Sequence, residues 1–239
     1  MKNFSKIMYD PDTTKEVAKA TQEVAKATGK GLDTANQMGR FVARFISVPL
    51  EQGMGIFEDK LRYARWENQV RFQRKAESLL KELGLSMPTR PLSMKMAIPL
   101  LQAASLEDDD FLQDLWARLL INGANANSGI EIQRLHIDIL ERVNPLEARI
   151  IQAVYRNRPE ANTDGFWTKS LPDSVEPALV LSQGDVQEAP APDICLALTH
   201  LEQLGCLDVE RYFYGGRNFS KVHTTLLGES FYDACTIKL

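Results

Sequence analysis

The sequence predicts a mainly α-helical protein with a small α+β part at its C-terminal end. Apolar residues recur at helical spacing through much of residues 38–155. Glycines and prolines divide that region into separate helices. Two runs of β-forming residues flank a Gly-Gly pair only near the C-terminal end. The 239 residues are 44% hydrophobic and 25% charged, which is typical of a soluble globular protein.

Residues 1–57 are predicted to form an N-terminal helical arm. The hexapeptide Glu16–Thr21 recurs seven residues later as Glu23–Thr28, which places Val17 and Val24 on one narrow face. Because this face is made of small residues, it buries too little surface to stabilise a helix alone. We expect it to pack closely on a partner.

The end of the arm is more apolar and supplies a candidate membrane or oligomer face. Arg40 and Arg44 lie on the side opposite to this face, and Pro49 ends or kinks the helix. A basic amphipathic helix of this kind can lie in a membrane interface. We favour the alternative, packing within the domain or on a second subunit. The face consists of Met38, Phe41, Val42, Phe45 and Ile46.

Residues 58–84 are predicted to form a long helix, which is the most basic segment of the chain. Residues 1–94 hold 16 Lys and Arg against 11 Asp and Glu, whereas residues 95–239 hold 12 against 21. A polyanion would therefore meet the N-terminal part, where arginines alternate with aromatic residues that can stack on bases. A solvated face with intrahelical ion pairs is the favoured alternative. The candidate polyanion-binding residues here are Arg62, Arg65, Arg71 and Arg74.

The central helix of the predicted bundle spans residues 105–123. Ser105 is its expected N-cap, and the acidic run 107–110 suits the positive end of the helix dipole. Asn122-Gly123 is expected to end it. One apolar stripe follows from Leu112, Leu115, Trp116, Leu119 and Leu120. A stripe of this width must be buried, so residues 58–143 are expected to form a helical core.

Three segments around this helix resemble a known family: Arg90–Leu120, Ile137–Leu140 and Asn144–Ile151, with Lys60–Trp66 in support. The stretch LEDDDFLQDLWARLL is the most specific part. Together they resemble the Abi-alpha family, the abortive infection alpha proteins of bacteria, over roughly residues 38–152. The resemblance implies a role in phage defence, in which the infected cell is shut down or killed. It implies no catalytic residues.

Residues 144–239 are expected to form a separate domain similar to a winged helix. The long segment 157–192 is rich in Pro, Asp, Gly and Ser and is expected to be a loop. The strands are expected to meet at Gly215-Gly216 in a tight hairpin. The predicted elements are helices at Pro145–Tyr155, Ile194–Leu204 and Thr225–Cys235 and strands at Cys206–Tyr214 and Asn218–Thr225.

The charges of this domain favour a protein partner or a second copy over DNA. The helix that would enter a DNA groove carries Asp193 and Glu202 but no Lys or Arg, whereas groove-binding helices need cations for phosphates. Only the hairpin has the required sign, through Arg211, Arg217 and Lys221.

No pattern of residues points to a catalytic, metal or cofactor site. His136, His200 and His223 lack metal-ligand spacing, and the acidic run 107–110 is explained by its place at a helix start. Cys195, Cys206 and Cys235 lie among apolar residues and form no CxxC pair, which indicates buried, reduced thiols of a cytosolic protein.

The sequence therefore predicts a non-enzymatic antiphage protein without metal or cofactor. It would act by assembling with itself or with a phage or host protein, and it would be cytoplasmic, with peripheral membrane contact on activation. The start lacks a signal peptide and no apolar run is long enough to cross a bilayer. One alternative is a nucleic-acid-binding regulator that uses the basic helix and the hairpin. Another is a nuclease or hydrolase whose site is assembled from distant residues.

Overall fold

The fold is mainly helical, with one small antiparallel sheet in its C-terminal part. The computed structural model describes residues 38–46, 66–157, 163–179 and 188–237. The repeat at 16–28, the rest of the arm and its proline lie outside these residues. A helical segment at 38–43 comes first. The helices that follow are α1 (Trp66–Glu82), α2 (Met94–Leu106), α3 (Asp110–Ala124), α4 (Arg134–Leu140), α5 (Pro145–Arg156), α6 (Pro192–Gln203) and α7 (Leu226–Ala234). The strands are β1 (Thr163–Trp167), β2 (Glu176–Leu179), β3 (Leu207–Arg211) and β4 (Arg217–Thr224).

The central helix α3 starts five residues later than the sequence predicts. Its N-cap is Asp109, whose Oδ1 accepts from the backbone N–H groups of Phe111 and Leu112, both at 3.0 Å. Ser105 is a buried residue of the last turn of α2, and its hydroxyl donates to the Leu101 carbonyl at 2.6 Å. The prediction of Ser105 as N-cap is wrong, because α2 continues to Leu106 and a short extended link separates the two helices.

The predicted apolar stripe of α3 is buried, as the periodicity requires. Trp116 is 1% exposed, and the four leucines of the stripe are buried with it. The helix runs through Gly123, which the sequence placed at its end. A Cβ at Gly123 would come within 2.4 Å of Ile132, so this glycine permits close packing within the helix instead of ending it.

The sheet contains two strands in a segment that was predicted to be a loop. The strand order is β2-β1-β4-β3, with every neighbouring pair antiparallel. Phe166 of β1 lies opposite Val222 of β4, and both side chains are buried. Residues 157–192 are therefore not one long loop, because β1 and β2 lie within them.

The hairpin β3–β4 confirms the two strands predicted within residues 206–225, but its loop is longer than the predicted tight turn, because β3 ends at Arg211 and β4 begins at Arg217. Val209 pairs with Val222, and Arg211 pairs with Arg217. Gly215 has a φ of 88°, a conformation that glycine adopts without strain. Thr225 is the N-cap of α7, since its Oγ1 accepts from the Gly228 N–H at 2.9 Å. Whether this part is a winged helix stays a prediction.

One set of buried apolar side chains connects the first described segment with the last helix. It extends from Met38 to Cys235 without a break into separate clusters. Asn122 of α3 also reaches the last helix, because its Nδ2 donates to the carbonyls of Ala234 and Thr236, both at 2.9 Å. The predicted boundary between residues 143 and 144 stays a prediction. Within the described ranges, no helix has both the length and the apolar character needed to span a bilayer.

Candidate functional site

The candidate membrane or oligomer face is buried inside the subunit. Its five side chains, Met38, Phe41, Val42, Phe45 and Ile46, are between 0% and 7% exposed. The ring of Phe41 contacts that of Phe45 at a centroid distance of 4.9 Å and meets Phe72 of α1 edge-on at 6.2 Å. The Phe45 carbonyl accepts from the Leu92 N–H at 2.7 Å. In this structure the face is not available to a membrane or a partner, and the burial supports the packing interpretation.

Two cations of the basic helix, Arg71 and Lys75, hold the start of α3. Arg71 Nε donates to Gln113 Oε1 at 2.5 Å, and its Nη2 donates to the backbone carbonyl of Asp108 at 2.9 Å. Lys75 Nζ lies 2.6 Å from Asp114 and 3.0 Å from Asp110. Arg74 is exposed, while Arg62 and Arg65 lie outside the described residues. Arg71 is thus committed to internal hydrogen bonds, which weakens the case for a polyanion site on this helix.

The cations of the hairpin are also paired. Arg211 and Arg217 both bind Glu202 of α6, at 3.0 Å and 2.6 Å. Lys221 bridges Asp164 and Glu210 at 3.0 Å and 2.5 Å. Burial acts to lower the pKa of Lys221, but its hydrogen bonds to the two carboxylates outweigh burial and raise the pKa. These three residues therefore offer little uncompensated positive charge for phosphates.

The tip of the hairpin carries the most exposed aromatic side chains of the described chain. Phe213 is 97% exposed and Tyr214 is 95% exposed, while Tyr212 is 54% exposed. The rings of Phe213 and Tyr214 meet edge-on at 5.5 Å. The turn is closed by hydrogen bonds from Tyr212 N–H to the Gly216 carbonyl at 2.7 Å and from Gly215 N–H to the Tyr212 carbonyl at 2.8 Å. We call Tyr212, Phe213 and Tyr214 the aromatic tip.

This aromatic tip was not predicted from the sequence, although a signal was present. Residues 206–214 were assigned to one strand, whereas β3 ends at Arg211. Three consecutive aromatic residues directly before Gly-Gly cannot all be buried, because side chains alternate between the two faces of a strand and a hairpin tip projects beyond the core. That reasoning would have indicated an exposed aromatic cluster.

The His and acidic side chains that could indicate catalysis or metal binding have structural partners. Glu147 is buried, and its Oε1 lies 2.8 Å from His200 Nδ1. Its Oε2 accepts from the Asn144 N–H at 2.8 Å, which closes the capping box of α5. The acidic residues 107–110 cap α3 or pair with α1. Within the described ranges, no three His, Cys, Asp or Glu side chains are grouped so that they could hold a metal ion.

The thiols are free and two of them are buried. Burial raises the pKa of Cys206 to about 12 and also raises the pKa of Cys235. Both side chains are therefore protonated thiols at neutral pH, and a thiol is a poor nucleophile. Cys195 is partly exposed.

The chain matches one known protein family. The family described as abortive infection alpha matches residues 67–235, which is more than half of the chain. The comparisons with curated proteins and with solved structures returned no match. The family match begins after the arm and continues through the hairpin and α7. The resemblance read from the sequence over residues 38–152 therefore began too early and ended too soon. The chain belongs to the abortive infection alpha family.

Proposed function

We propose that this abortive-infection protein acts without enzymatic chemistry, by binding a protein partner through its aromatic tip. Membership of the family implies the defence role itself. The observation that supports the mechanism is the exposure of Phe213 and Tyr214, at 97% and 95%. Exposed aromatic residues held on a short, hydrogen-bonded turn are the kind of anchors that fill pockets at protein interfaces.

The charges around the tip favour a protein partner over nucleic acid. Arg211 and Arg217 flank the tip and share the single carboxylate of Glu202, so this group of three carries one net positive charge. Affinity for nucleic acid depends on cations that are free to replace counterions on phosphates. Stacking of the aromatic rings on bases would gain little from that contribution here, because three carboxylates, Glu202, Asp164 and Glu210, balance the three cations of the hairpin. The same argument applies to an anionic membrane surface, which attracts clusters of free Lys and Arg.

The partner is expected to present an apolar pocket with a polar rim. An aromatic anchor gains most of its binding energy when it is fully desolvated, and two backbone hydrogen bonds, from the Tyr212 and Gly215 N–H groups, hold the turn that presents the rings. A phage protein, a host protein or a second copy of the chain can supply such a pocket.

The test compares a double replacement at the tip with a replacement of another exposed apolar residue. Phe213→Ser combined with Tyr214→Ser should abolish protection of infected cells, because two anchors of about 2 kcal/mol each are lost. Leu226→Ser is the matched control, since Leu226 is 86% exposed but lies at the start of α7. Both variants should keep the thermal midpoint of the parent protein. Survival of infected cultures and plaque counts give the readout.

Three outcomes would contradict the proposal. The first is full protection by the folded double variant. The second is an equal loss in the Leu226→Ser control. The third is binding of anionic vesicles or nucleic acid by the parent protein that disappears in the double variant, which would assign the tip to a different partner.

Membrane contact by the N-terminal segment is a further candidate step, and it requires release of that segment. The segment is amphipathic. Arg44 lies on its polar side, with Nη1 3.5 Å from Glu77 Oε1. Each fully buried side chain of its apolar face contributes about 1.5–3 kcal/mol. Losing all five would cost as much as the whole stability of a typical domain, about 5–15 kcal/mol. The resting protein should therefore leave vesicles intact, and leakage from anionic vesicles without any added trigger would contradict this.

A further inference from the structure

The junction of α3, α5 and α7 contains a cleft of about 280 Å³ that carries two arginines. The lining residues of α3 and those of α5 are spaced by three or four residues, so each of these two helices presents one face to the cleft, and α7 adds one side chain. Arg118 comes from α3, Gln152 and Arg156 come from α5, and Tyr232 comes from α7. We call this the arginine cleft.

The two guanidinium groups have no acidic partner in the part of the chain that the structure describes. Neither Arg118 nor Arg156 forms a hydrogen bond or ion pair with those residues. Arg118 is partly buried at the cleft wall, and Arg156 is exposed at the end of α5. Other arginines of the protein that line packed surfaces, such as Arg71 and Arg90, are committed to carbonyl or carboxylate oxygens.

The cleft is lined by two arginines and one carboxylate, and that carboxylate pairs with a lysine of α1. Asp114 lies on the same face of α3 as Arg118, but its Oδ1 is 2.6 Å from Lys75 Nζ. The Arg149 guanidinium stands over the ring of Phe111, another lining residue, at 5.7 Å from the centroid and adds positive potential nearby. The cleft therefore carries a net positive charge within a protein whose formal net charge is −4.

We propose that the arginine cleft binds a small phosphate-bearing ligand. Guanidinium groups present parallel N–H donors that match the oxygens of a phosphoryl group, and two of them in one cleft can bind the same group from different sides. The Gln152 amide and the Tyr232 hydroxyl add hydrogen-bonding capacity for the rest of the ligand. The volume lies just below the usual range for small-molecule sites, about 300–1,000 Å³, so the ligand is compact.

The position of the cleft determines which helices a bound ligand would connect. Its walls come from the central helix and from two helices of the C-terminal part, so a bound phosphoryl group would cross-link them. The site is independent of the aromatic tip and does not rest on the partner proposed above.

The test measures binding of three probes to the full chain: inorganic phosphate, pyrophosphate and adenosine monophosphate. Calorimetry gives the dissociation constant, and the rise of the thermal midpoint with probe concentration gives a second readout. Arg118→Gln and Arg156→Gln should each weaken binding at least tenfold. Without ligand, both variants should be as stable as the parent protein, since no partner is lost and the repulsion between the two cations is removed.

Arg142→Gln is the matched control, because Arg142 is an exposed arginine after α4 and outside the cleft. It should bind the probes as the parent protein does. Comparison of the three probes at constant ionic strength separates a site for free phosphate from one for a larger phosphate ester. The proposal is overturned if no probe binds at 10 mM, if Arg118→Gln and Arg156→Gln bind as well as the parent, or if Arg142→Gln loses binding equally.

Discussion

His136 is a buried histidine with a partner at each ring nitrogen. Its Nδ1 accepts from the Gln133 N–H at 3.1 Å, which caps α4, and its Nε2 lies 3.0 Å from the Ser230 hydroxyl of α7. The accepting Nδ1 requires the neutral form of the ring. Burial also disfavours charge and lowers the pKa of His136 below its ordinary value of 6.5.

The lowered pKa predicts that the protein loses stability in mild acid. Between the folded-state pKa and 6.5, the unfolded chain binds more protons than the folded one, so the free energy of unfolding rises with pH in that window. Stability is fully present above pH 6.5 and falls as the pH drops below it. Each tenfold difference in proton affinity between the folded and unfolded chain corresponds to about 1.4 kcal/mol. The thermal midpoint between pH 5 and 8 gives the measurement.

His136→Gln isolates this contribution. Glutamine at the same position can still accept from the helix N-terminus in a capping box, but it does not titrate. The variant should therefore show a smaller drop in thermal midpoint between pH 7 and pH 5 than the parent protein. Identical pH profiles would mean that His136 titrates normally in the fold.

At the scale of single residues, burial of apolar side chains could be predicted from the sequence. The hydrogen-bond partners of polar side chains could not. The apolar stripe around Trp116 follows from helical spacing alone, and its burial is confirmed. In the sequence, Arg71 is a basic residue on the polar face of a predicted helix, and nothing near it in the chain indicates a partner. Its partners Gln113 and Asp108 come from other elements, and that neighbourhood exists only after folding.

At the scale of elements, the start of α3 separates two residues that sequence alone treats alike. Ser105 and Asp109 are both good N-cap residues, and both precede the apolar stripe. The structure assigns the cap to Asp109, with two backbone N–H groups at 3.0 Å. Ser105 lies within α2, where a hydroxyl that bonds to a carbonyl one turn earlier adds little to helix stability.

This assignment predicts a difference between two alanine variants. Asp109→Ala should lower the free energy of unfolding by about 0.5–2 kcal/mol, the usual cost of losing an N-cap. Ser105→Ala should cost less, and Asp109→Asn should retain most of the stability because asparagine also caps well. Urea unfolding of the purified proteins measures all three. A larger loss for Ser105→Ala than for Asp109→Ala would contradict the observed helix boundary.

The strands show why some elements cannot be predicted from sequence. The hairpin β3–β4 was predictable because both strands and their turn are adjacent in the chain. Strand β1 pairs with β4, more than fifty residues away, through Phe166 and Val222. Its short sequence, Thr-Asp-Gly-Phe-Trp, shows no clean alternation, so only the distant partner defines it as a strand.

At the scale of the whole molecule, the central helix α3 and the end of α7 are joined through one polar side chain as well as through the apolar core. Asn122 is 4% exposed and lies near the end of α3. Its two amide N–H groups donate to the carbonyls of Ala234 and Thr236, both at 2.9 Å, and the Asp233 carbonyl lies 3.4 Å from the same nitrogen. The Asp233 carbonyl also accepts from the Thr236 N–H at 3.2 Å, whereas Ala234 is the last residue of α7, where helix geometry supplies no backbone donor for its carbonyl. From the sequence, Asn122 was expected only to end its own helix, because nothing local indicates a contact across more than a hundred residues.

This contact predicts that Asn122 controls the docking of α7 on the central helix. Asn122→Ala leaves the buried carbonyl of Ala234 without its donor, which should cost about 1–3 kcal/mol. Asn122→Asp should cost more, because a carboxylate would face the same carbonyl oxygens at neutral pH. Asn127→Ala is the control, since Asn127 is an exposed residue of the adjoining loop. Hydrogen exchange followed by mass spectrometry should show faster exchange of the α7 amides in both Asn122 variants than in the control, while the α1 amides change less. Uniform acceleration across the whole chain would indicate that the two parts unfold as one unit and that Asn122 only adds to global stability.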